Sequence, residues 1–372
     1  MGGDPIAGQV DLDLVKPESI QSVIFWVKGA VTTPGSKSRN FFEHNDILWD
    51  TSMGDPRNVT PGTKFDGKLS GQYTLPFSVI IPEGVQDRKV LKALGLNEHQ
   101  KLPPTISEKG GCSIVGYEVG VTVKRSDGFQ RNNILYTSVH YTPRSKPDQP
   151  SSLRQRAYGE NTQLLDPSID PQGWSPFRLF NCYVPNVTCT LALATPACYT
   201  RGSVIPCFLT LESTDLQTLD ILSNPEVHVV RIGRRINTKP ASEVAKMSGE
   251  AMILSNTPLG YACWWPPLGE QSVASHIRTL QGEIKLSPHL VPSFTFGHFS
   301  LKYYLELLPP QLPGFIPTKG KYIIRTNIEI ATDYPDGPRP RVYLPPEYDI
   351  LRPELTAGDA EREPLGPGFM YS

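Results

Sequence analysis

Four pairs of adjacent prolines occur in this 372-residue chain, beginning at Pro103, Pro266, Pro309 and Pro345, and only the last has a tyrosine two residues further on. Adjacent prolines pre-set an extended left-handed helix, so little conformational entropy is lost when the segment is bound. In "VYLPPEYDI", Leu344, Pro345, Pro346 and Tyr348 thus form a pattern suited to recognition rather than to catalysis. The proline rings would pack on an aromatic groove of the kind found in WW domains, and Tyr348 would fill the neighbouring pocket. Fifteen tyrosines make such a coincidence easy to reach by chance, so the pattern needs a body suited to carrying it.

A second group is cationic. "VRIGRRI" sets Arg231, Arg234 and Arg235 around a glycine, and "VKRSDGFQR" holds Lys124, Arg125 and Arg131. Guanidinium binds phosphate through two parallel N–H donors, which suits Arg231, Arg234 and Arg235 to phosphate or anionic headgroup contact. The plainer reading of the same residues is a set of solvated strand faces and turns.

The side chains of catalysis and metal binding form no constellation. The chain lacks GxSxG, HExxH, P-loop and GxGxxG patterns, and its seven histidines (His44, His99, His140, His228, His276, His289 and His298) are scattered. His228, between Val227 and Val229, is expected on the wet face of a strand. The six cysteines contain no CxxC pair, and Cys207 in "VIPCFLTL" shares a strand face with Ile205, Leu209 and Leu211. Buried reduced thiols are expected, with no catalytic residue, no metal and no cofactor. In that setting the "NVT" sequons at Asn58 and Asn186 carry no meaning.

The elements that must position these groups read as strands. Apolar and polar residues alternate in "VDLDL", "YEVGVTVK", "FSLKYYLEL" and "IRTNIEI", so each segment has one dry and one wet face. That is the pattern of antiparallel sheets packed into a sandwich, and the fold class is all-β. Thirty-seven prolines agree, since proline breaks helices and tolerates edges and turns. The best helical stripe is Val85 to Asn97, with Val90, Leu91 and Leu94 on one side; "ASEVAKMSGEAMI" is a weaker second.

Net charge −1 argues against a bulk nucleic-acid binder, no apolar run approaches a membrane span, and no signal-peptide pattern opens the chain. A cytoplasmic protein follows. Punctuation, with the proline- and serine-rich break "YTPRSKPDQPSS" from Tyr141 leading into the irregular stretch, divides the chain into a first strand set over 1–148, a linker or irregular segment over 149–181, a second strand set over 182–334, and a proline-rich tail over 335–372 that is expected to be disordered.

In order along the chain, several segments resemble arrestin-like proteins of the α-arrestin branch, fungal ones in particular. "GDPIAGQVDLDL" is similar to that family's opening segment, and "IFWVKGAV" to the strand after it. "LSGQYTLPFSVIIP" resembles its G-x-y-x-f-P-F signature, and "LPPTI" with "SIVGYEVGVTVKR" the segment that follows. "CTLALATPACYTRGSVIPCFLTL" and "LQGEIKLSPHLVPSFTFGHFSLKYYLEL" resemble two later ones. The likeness runs over roughly residues 3–334. It departs at the start: family members carry a strand before the opening segment, which here begins at Gly3. The expectation is a truncated reading frame that leaves one sheet edge of the first sandwich unpaired.

The resemblance implies two tandem immunoglobulin-like, arrestin-type β-sandwich domains followed by a tail. It also implies a non-enzymatic trafficking adaptor. The sandwiches would engage cytosolic segments of plasma-membrane proteins, and Leu344, Pro345, Pro346 and Tyr348 would recruit a WW-domain HECT-type ubiquitin ligase, promoting ubiquitination and endocytosis. Recruitment to the plasma membrane or endosomes, through peripheral membrane contact, follows from that role. The alternative is an arrestin-fold scaffold of a sorting coat that recruits no ligase. A β-sandwich enzyme or carbohydrate-binding module is the third class, hinted at only by "CWWPPL"; adjacent Trp264 and Trp265 point to opposite faces of a strand, which favours packing roles.

Overall fold

Alternating segments become strands throughout the chain. A computed structural model describes residues 1–32, 38–57, 65–96, 100–107, 114–126, 131–180, 182, 186–238, 251–254, 258–267, 275–297, 299–310 and 322–349. In the first half these are β1 (Pro5–Glu18), β2 (Ile20–Thr32), β3 (Arg39–Asp50), β4 (Leu69–Ile80), β5 (Ile114–Arg125) and β6 (Asn133–Val139). β1 and β4 pair as a two-stranded sheet, and β3-β2-β5-β6 form a second, antiparallel one. Val10, Leu12 and Leu14 turn inward against Val23, Trp49 and Leu69, while Asp11 and Asp13 stay exposed. Pro76 stands on β4, which pairs only with β1 among the described residues, an edge position of the kind where proline is tolerated.

Between β4 and β5 lies α1 (Arg88–Leu94), inside the segment whose stripe predicts a helix. The Asp87 carboxylate accepts from the Lys89 amide, capping the first turn, and Gly95 in the left-handed region ends the helix. Leu91 is buried, with Val90 and Leu94 packed beside it.

The second half holds α2 (Ser152–Glu160), β7 (Trp174–Leu179), β8 (Thr188–Ala194), β9 (Cys198–Thr200), β10 (Val204–Glu212), α3 (Leu216–Leu222), β11 (Val230–Thr238), β12 (Ala251–Leu254), β13 (Gly260–Trp265), β14 (Ile277–Lys285), β15 (Phe294–Phe296), β16 (Phe299–Leu307), β17 (Ile324–Ala331) and the single turn α4 (Pro346–Asp349). Strand order is β7-β8-β10-β14-β13-β11-β16-β17-β9, with β12 on β11 and β15 on β16. β13 is the corner: Ala262–Trp265 pair with β14, whereas Gly260 and Tyr261 pair with β11. A strand that changes partners in this way folds one continuous ladder into two facing layers. Gly202, at φ +78, makes the turn into β10 in a conformation where a β-carbon would be strained.

One apolar core runs through both halves. Phe41 of β3 meets Phe296 of β15 edge-on at 5.0 Å, and the Gln100 side chain donates to the Thr295 carbonyl at 2.6 Å. The chain is all-β, with a sandwich-like arrangement of sheets.

Two expectations are corrected here. The segment 149–181 is not an irregular linker: α2 is capped by Ser151, and β7 pairs with β8 from Trp174↔Ala194 to Leu179↔Cys189. Nor is the tail disordered from residue 335 onward, because residues 335–349 lie against the body; residues 350–372 fall outside the described residues. Of the weaker helix candidate, 241–250 lies outside the described residues and 251–253 falls in strand β12.

Candidate functional site

The sheet β7-β8-β10-β14-β13 buries both of its faces. Register places Cys207, Gly282 and Trp264 side by side on the core face; Gly282 leaves room for the Trp264 ring, which would lie 2.4 Å from a β-carbon there. Pro206, Glu283 and Cys263 form a row on the opposite face, and Phe208, Gln281 and Trp265 form the next. These outward residues should meet water. Instead, Phe208 and Trp265 are buried, and Glu283 is only 1% exposed. Trp174 of β7 meets Phe208 edge-on at 4.7 Å, extending the same outer surface.

What covers them is α2 and the C-terminal segment. Arg154 of α2 is buried, donates to the Thr195 carbonyl at 2.9 Å and to the Gly173 carbonyl, and stacks its guanidinium over Trp174. Beyond β17 the chain crosses this surface as a strap. Thr332 and Asp333 bond to Ser145, Lys146 pairs with Asp336 at 2.7 Å, and Arg341 donates to the Tyr158 carbonyl and to Asn161 Oδ1. The Tyr343 ring lies beside that of Tyr158, centroids 6.4 Å apart and 25° from parallel. Burial pushes the Tyr158 phenol up to about 12 and raises that of Tyr343 as well, so both rings are neutral packing surfaces.

The motif follows directly. The amides of Tyr343 and Leu344 donate to Glu283 Oε2 and Oε1 at 3.1 and 3.3 Å, and the Cys263 thiol donates to the Tyr348 carbonyl at 3.0 Å. Pro346–Asp349 form one helical turn, closed by the Tyr348 amide on the Pro345 carbonyl at 3.0 Å. Leu344, Pro345 and Tyr348 are half-buried, and Pro346 is exposed. A cleft of about 460 Å³ lies between strap and sheet, with Trp174, Phe208 and Trp265 in its wall. The expected freely extended peptide is therefore corrected: the motif is folded against the body.

The arginines of the second group are not all brought together. Arg231 and Arg235 lie on the outer face of β11, where Lys302 of β16 and Arg325 of β17 join them; Arg234 lies on the side of Ile232 and Ile236. Arg231 donates to Glu306 Oε2 at 3.0 Å, Arg325 is 3.6 Å from the same carboxylate, and Arg325 stacks over Tyr304. The face is cationic, with an anion already built into its centre. In the first half, Arg125 is paired with Glu18.

His228 corrects its expectation. It is buried, not on a wet face: Nε2–H donates to the Leu222 carbonyl at 2.6 Å, and burial lowers its pKa to about 4. His44, His140, His276 and His289 are exposed and apart, while His99 and His298 lie outside the described residues. Among the described residues no group of three His, Cys, Asp or Glu could hold a metal ion. Cys207 is buried and its thiol pKa is pushed up by burial, which makes it a packing residue; Cys112 and Asn58 lie outside the described residues. No helix among the described residues is long and apolar enough to cross a membrane.

Glu283, Cys263, Tyr158 and Arg341 carry the strap, and sequence reading passes over all four. Strict alternation places Glu283 on a wet face, and only the run of buried residues Val204–Leu209 hints that the sheet is covered on both sides. No protein-family model matches the chain, and no curated protein is detectably similar to it.

Proposed function

We propose that this protein is a non-enzymatic interaction protein, an arrestin-like trafficking adaptor that presents Leu344, Pro345, Pro346 and Tyr348 to a WW domain of a HECT-type ubiquitin ligase. The β-sandwich layers, read as two tandem arrestin-type domains, would engage cytosolic segments of plasma-membrane proteins. One observation carries the reading: the proline–tyrosine motif follows the last strand of an all-β body by fewer than twenty residues and lies at its surface, on a segment that no ladder retains. The binding energy comes from two pre-set proline rings and one tyrosine, so affinity is about micromolar, near 8 kcal/mol. Useful residence then depends on several WW domains or on co-localisation at a membrane.

Binding a WW groove requires the extended form of Pro345–Tyr348, whereas in the structure Pro346–Asp349 are a helical turn. Recruitment thus involves release of the strap. A peptide of residues 338–352, titrated into isolated WW domains of HECT-type ligases, tests the reading. Binding that Tyr348→Ala reduces at least tenfold supports it; equal binding by both peptides, or none by either, removes it.

A further inference from the structure

The outer face of β13 and β14 is built as a peptide site, and the peptide in it is the chain's own. A carboxylate on the outward face of a strand ordinarily belongs in water, and burying one is costly unless donors replace the lost hydration. Glu283 is buried, and the donors found on it include two consecutive backbone amides, Tyr343 and Leu344. Charge-assisted bonds of this kind are among the stronger ones available to a protein. Around them the strap is held at both ends: upstream by Arg341 on the Tyr158 carbonyl and by the Tyr343–Tyr158 ring contact, downstream by the Cys263 thiol on the Tyr348 carbonyl. Pro206, Phe208 and Trp265 supply apolar floor beneath it.

From this geometry we infer that Glu283 is a latch, and that docking of residues 342–348 on the outer face and docking of the same residues in a WW groove exclude one another. The two bound forms need different backbones, one helical at Pro346–Asp349 and one extended. Both also use the Tyr348 region, so no intermediate satisfies the two sites together. The inference rests on the reading of Leu344–Tyr348 as a WW ligand. It adds that the ligand is withheld in the isolated protein. Apparent affinity is the intrinsic affinity multiplied by the fraction of molecules with the strap released. A latch populated ten to one therefore weakens binding about tenfold, equivalent to about 1.4 kcal/mol.

The test compares WW-domain binding by the full chain, by the 338–352 peptide, and by two full-chain variants. Glu283→Gln removes the charge on the latch, and Tyr343→Pro removes one donor and one ring from the strap while leaving the body and the Leu344–Tyr348 motif intact. Amide hydrogen exchange over 340–349 is measured on the same proteins. The expected result is binding by the full chain at least tenfold weaker than by the peptide, recovered to within about threefold in both variants. Tyr343 and Leu344 should be protected from exchange in the wild type and both unprotected in Glu283→Gln; in Tyr343→Pro, which has no amide at 343, Leu344 alone is the reporter and should be unprotected. Full-chain binding as tight as the peptide's overturns the inference, as does exchange of those two amides at the free-peptide rate in the wild type. A peptide that binds no WW domain overturns the adaptor reading and the exclusion with it. Exchange then reports separately whether Glu283 holds the strap.

Discussion

Trp264 and Trp265 are neighbours on β13, point to opposite sides of the sheet, and are both sealed, at 2% and 5% exposure. Their burials have different causes. Trp264 enters the sandwich core over Gly282, whereas Trp265 is covered from outside, its indole N–H donating to the Gln281 side chain at 3.1 Å. The two should therefore respond differently to truncation. Trp264→Ala is expected to cost about 3–5 kcal/mol of global stability, as large aromatic deletions in cores do. Trp265→Ala is expected to cost less than half of that and mainly to loosen residues 342–348. Urea unfolding midpoints, read beside exchange over 340–349, separate the two effects; equal global losses with an unchanged strap would contradict the assignment.

Arg341 offers a second way to open the strap without touching the sandwich. Its guanidinium reaches the Tyr158 carbonyl and Asn161 Oδ1, two acceptors at the end of α2. Hydrogen bonds to a charged donor contribute about 1.5–3 kcal/mol. Arg341→Ala should then raise chymotryptic cleavage at Tyr343 by roughly tenfold or more, because cleavage follows the population of the open strap. Arg341→Lys should restore little of the protection, since one ammonium cannot span both acceptors as the planar fork does. Cleavage unchanged in the alanine variant would show that Arg341 does not retain the strap.

Strands with one wet face, such as β1 and β4, were legible from their alternation; in "FSLKYYLEL" the expected wet face is lost, because Lys302 is exposed but Glu306 is buried. In β1, Asp11 and Asp13 are exposed while Leu12 and Leu14 are half-buried against the core, as alternation requires. Legibility ends where both faces are dry. In β10 the row of Ile205, Cys207, Leu209 and Leu211 was recognisable, but Pro206 and Phe208 are buried too, beneath α2 and the strap. α2, "SLRQRAYGE", has only Leu153, Ala157 and Tyr158 as apolar or aromatic residues, so no continuous apolar stripe announces it; its buried Arg154 and Tyr158 pack by their flat faces. The strap reads as loose from composition because its partners lie elsewhere in the chain. Glu283, 61 residues upstream of Leu344, satisfies amides that the proline-rich segment has no ladder to satisfy. Composition reports a segment's own capacity to fold, not the acceptors waiting for it on another surface.

The cationic face of β11, β16 and β17 gives a third prediction. Glu306 is buried and bonded to Arg231, with Arg325 on its other oxygen. Removing its charge leaves two guanidinium groups crowded together, at a cost of about 3 kcal/mol. Glu306→Gln should therefore lower the urea midpoint measurably, and a change below about 0.5 kcal/mol would mean the triad is solvent-screened after all. The anion-binding reading has its own assay. With vesicles containing phosphatidylserine at low salt, Arg235→Glu combined with Lys302→Glu, neighbours on that face, should reduce binding at least threefold, and added salt should abolish binding by both proteins. Identical vesicle binding by the two proteins removes that role.

His228 makes the fold sensitive to acid. The neutral imidazole donates to the Leu222 carbonyl and rests edge-on to Trp264, so burial depresses its folded pKa to about 4 against an ordinary value of 6.5. Between those values the unfolded chain binds a proton that the folded one refuses, so stability rises with pH across the window and is lost as pH falls. The full difference corresponds to roughly 3 kcal/mol, all of it present above pH 6.5 and gone below pH 4. His228→Gln keeps an N–H donor for Leu222 but cannot be protonated. Its unfolding free energy, measured from pH 7 to pH 4.5, should therefore fall less than the wild type's, with the two curves converging as the pH is lowered. Parallel curves would mean that His228 is already solvated, and that the contact with Leu222 carries none of the acid sensitivity.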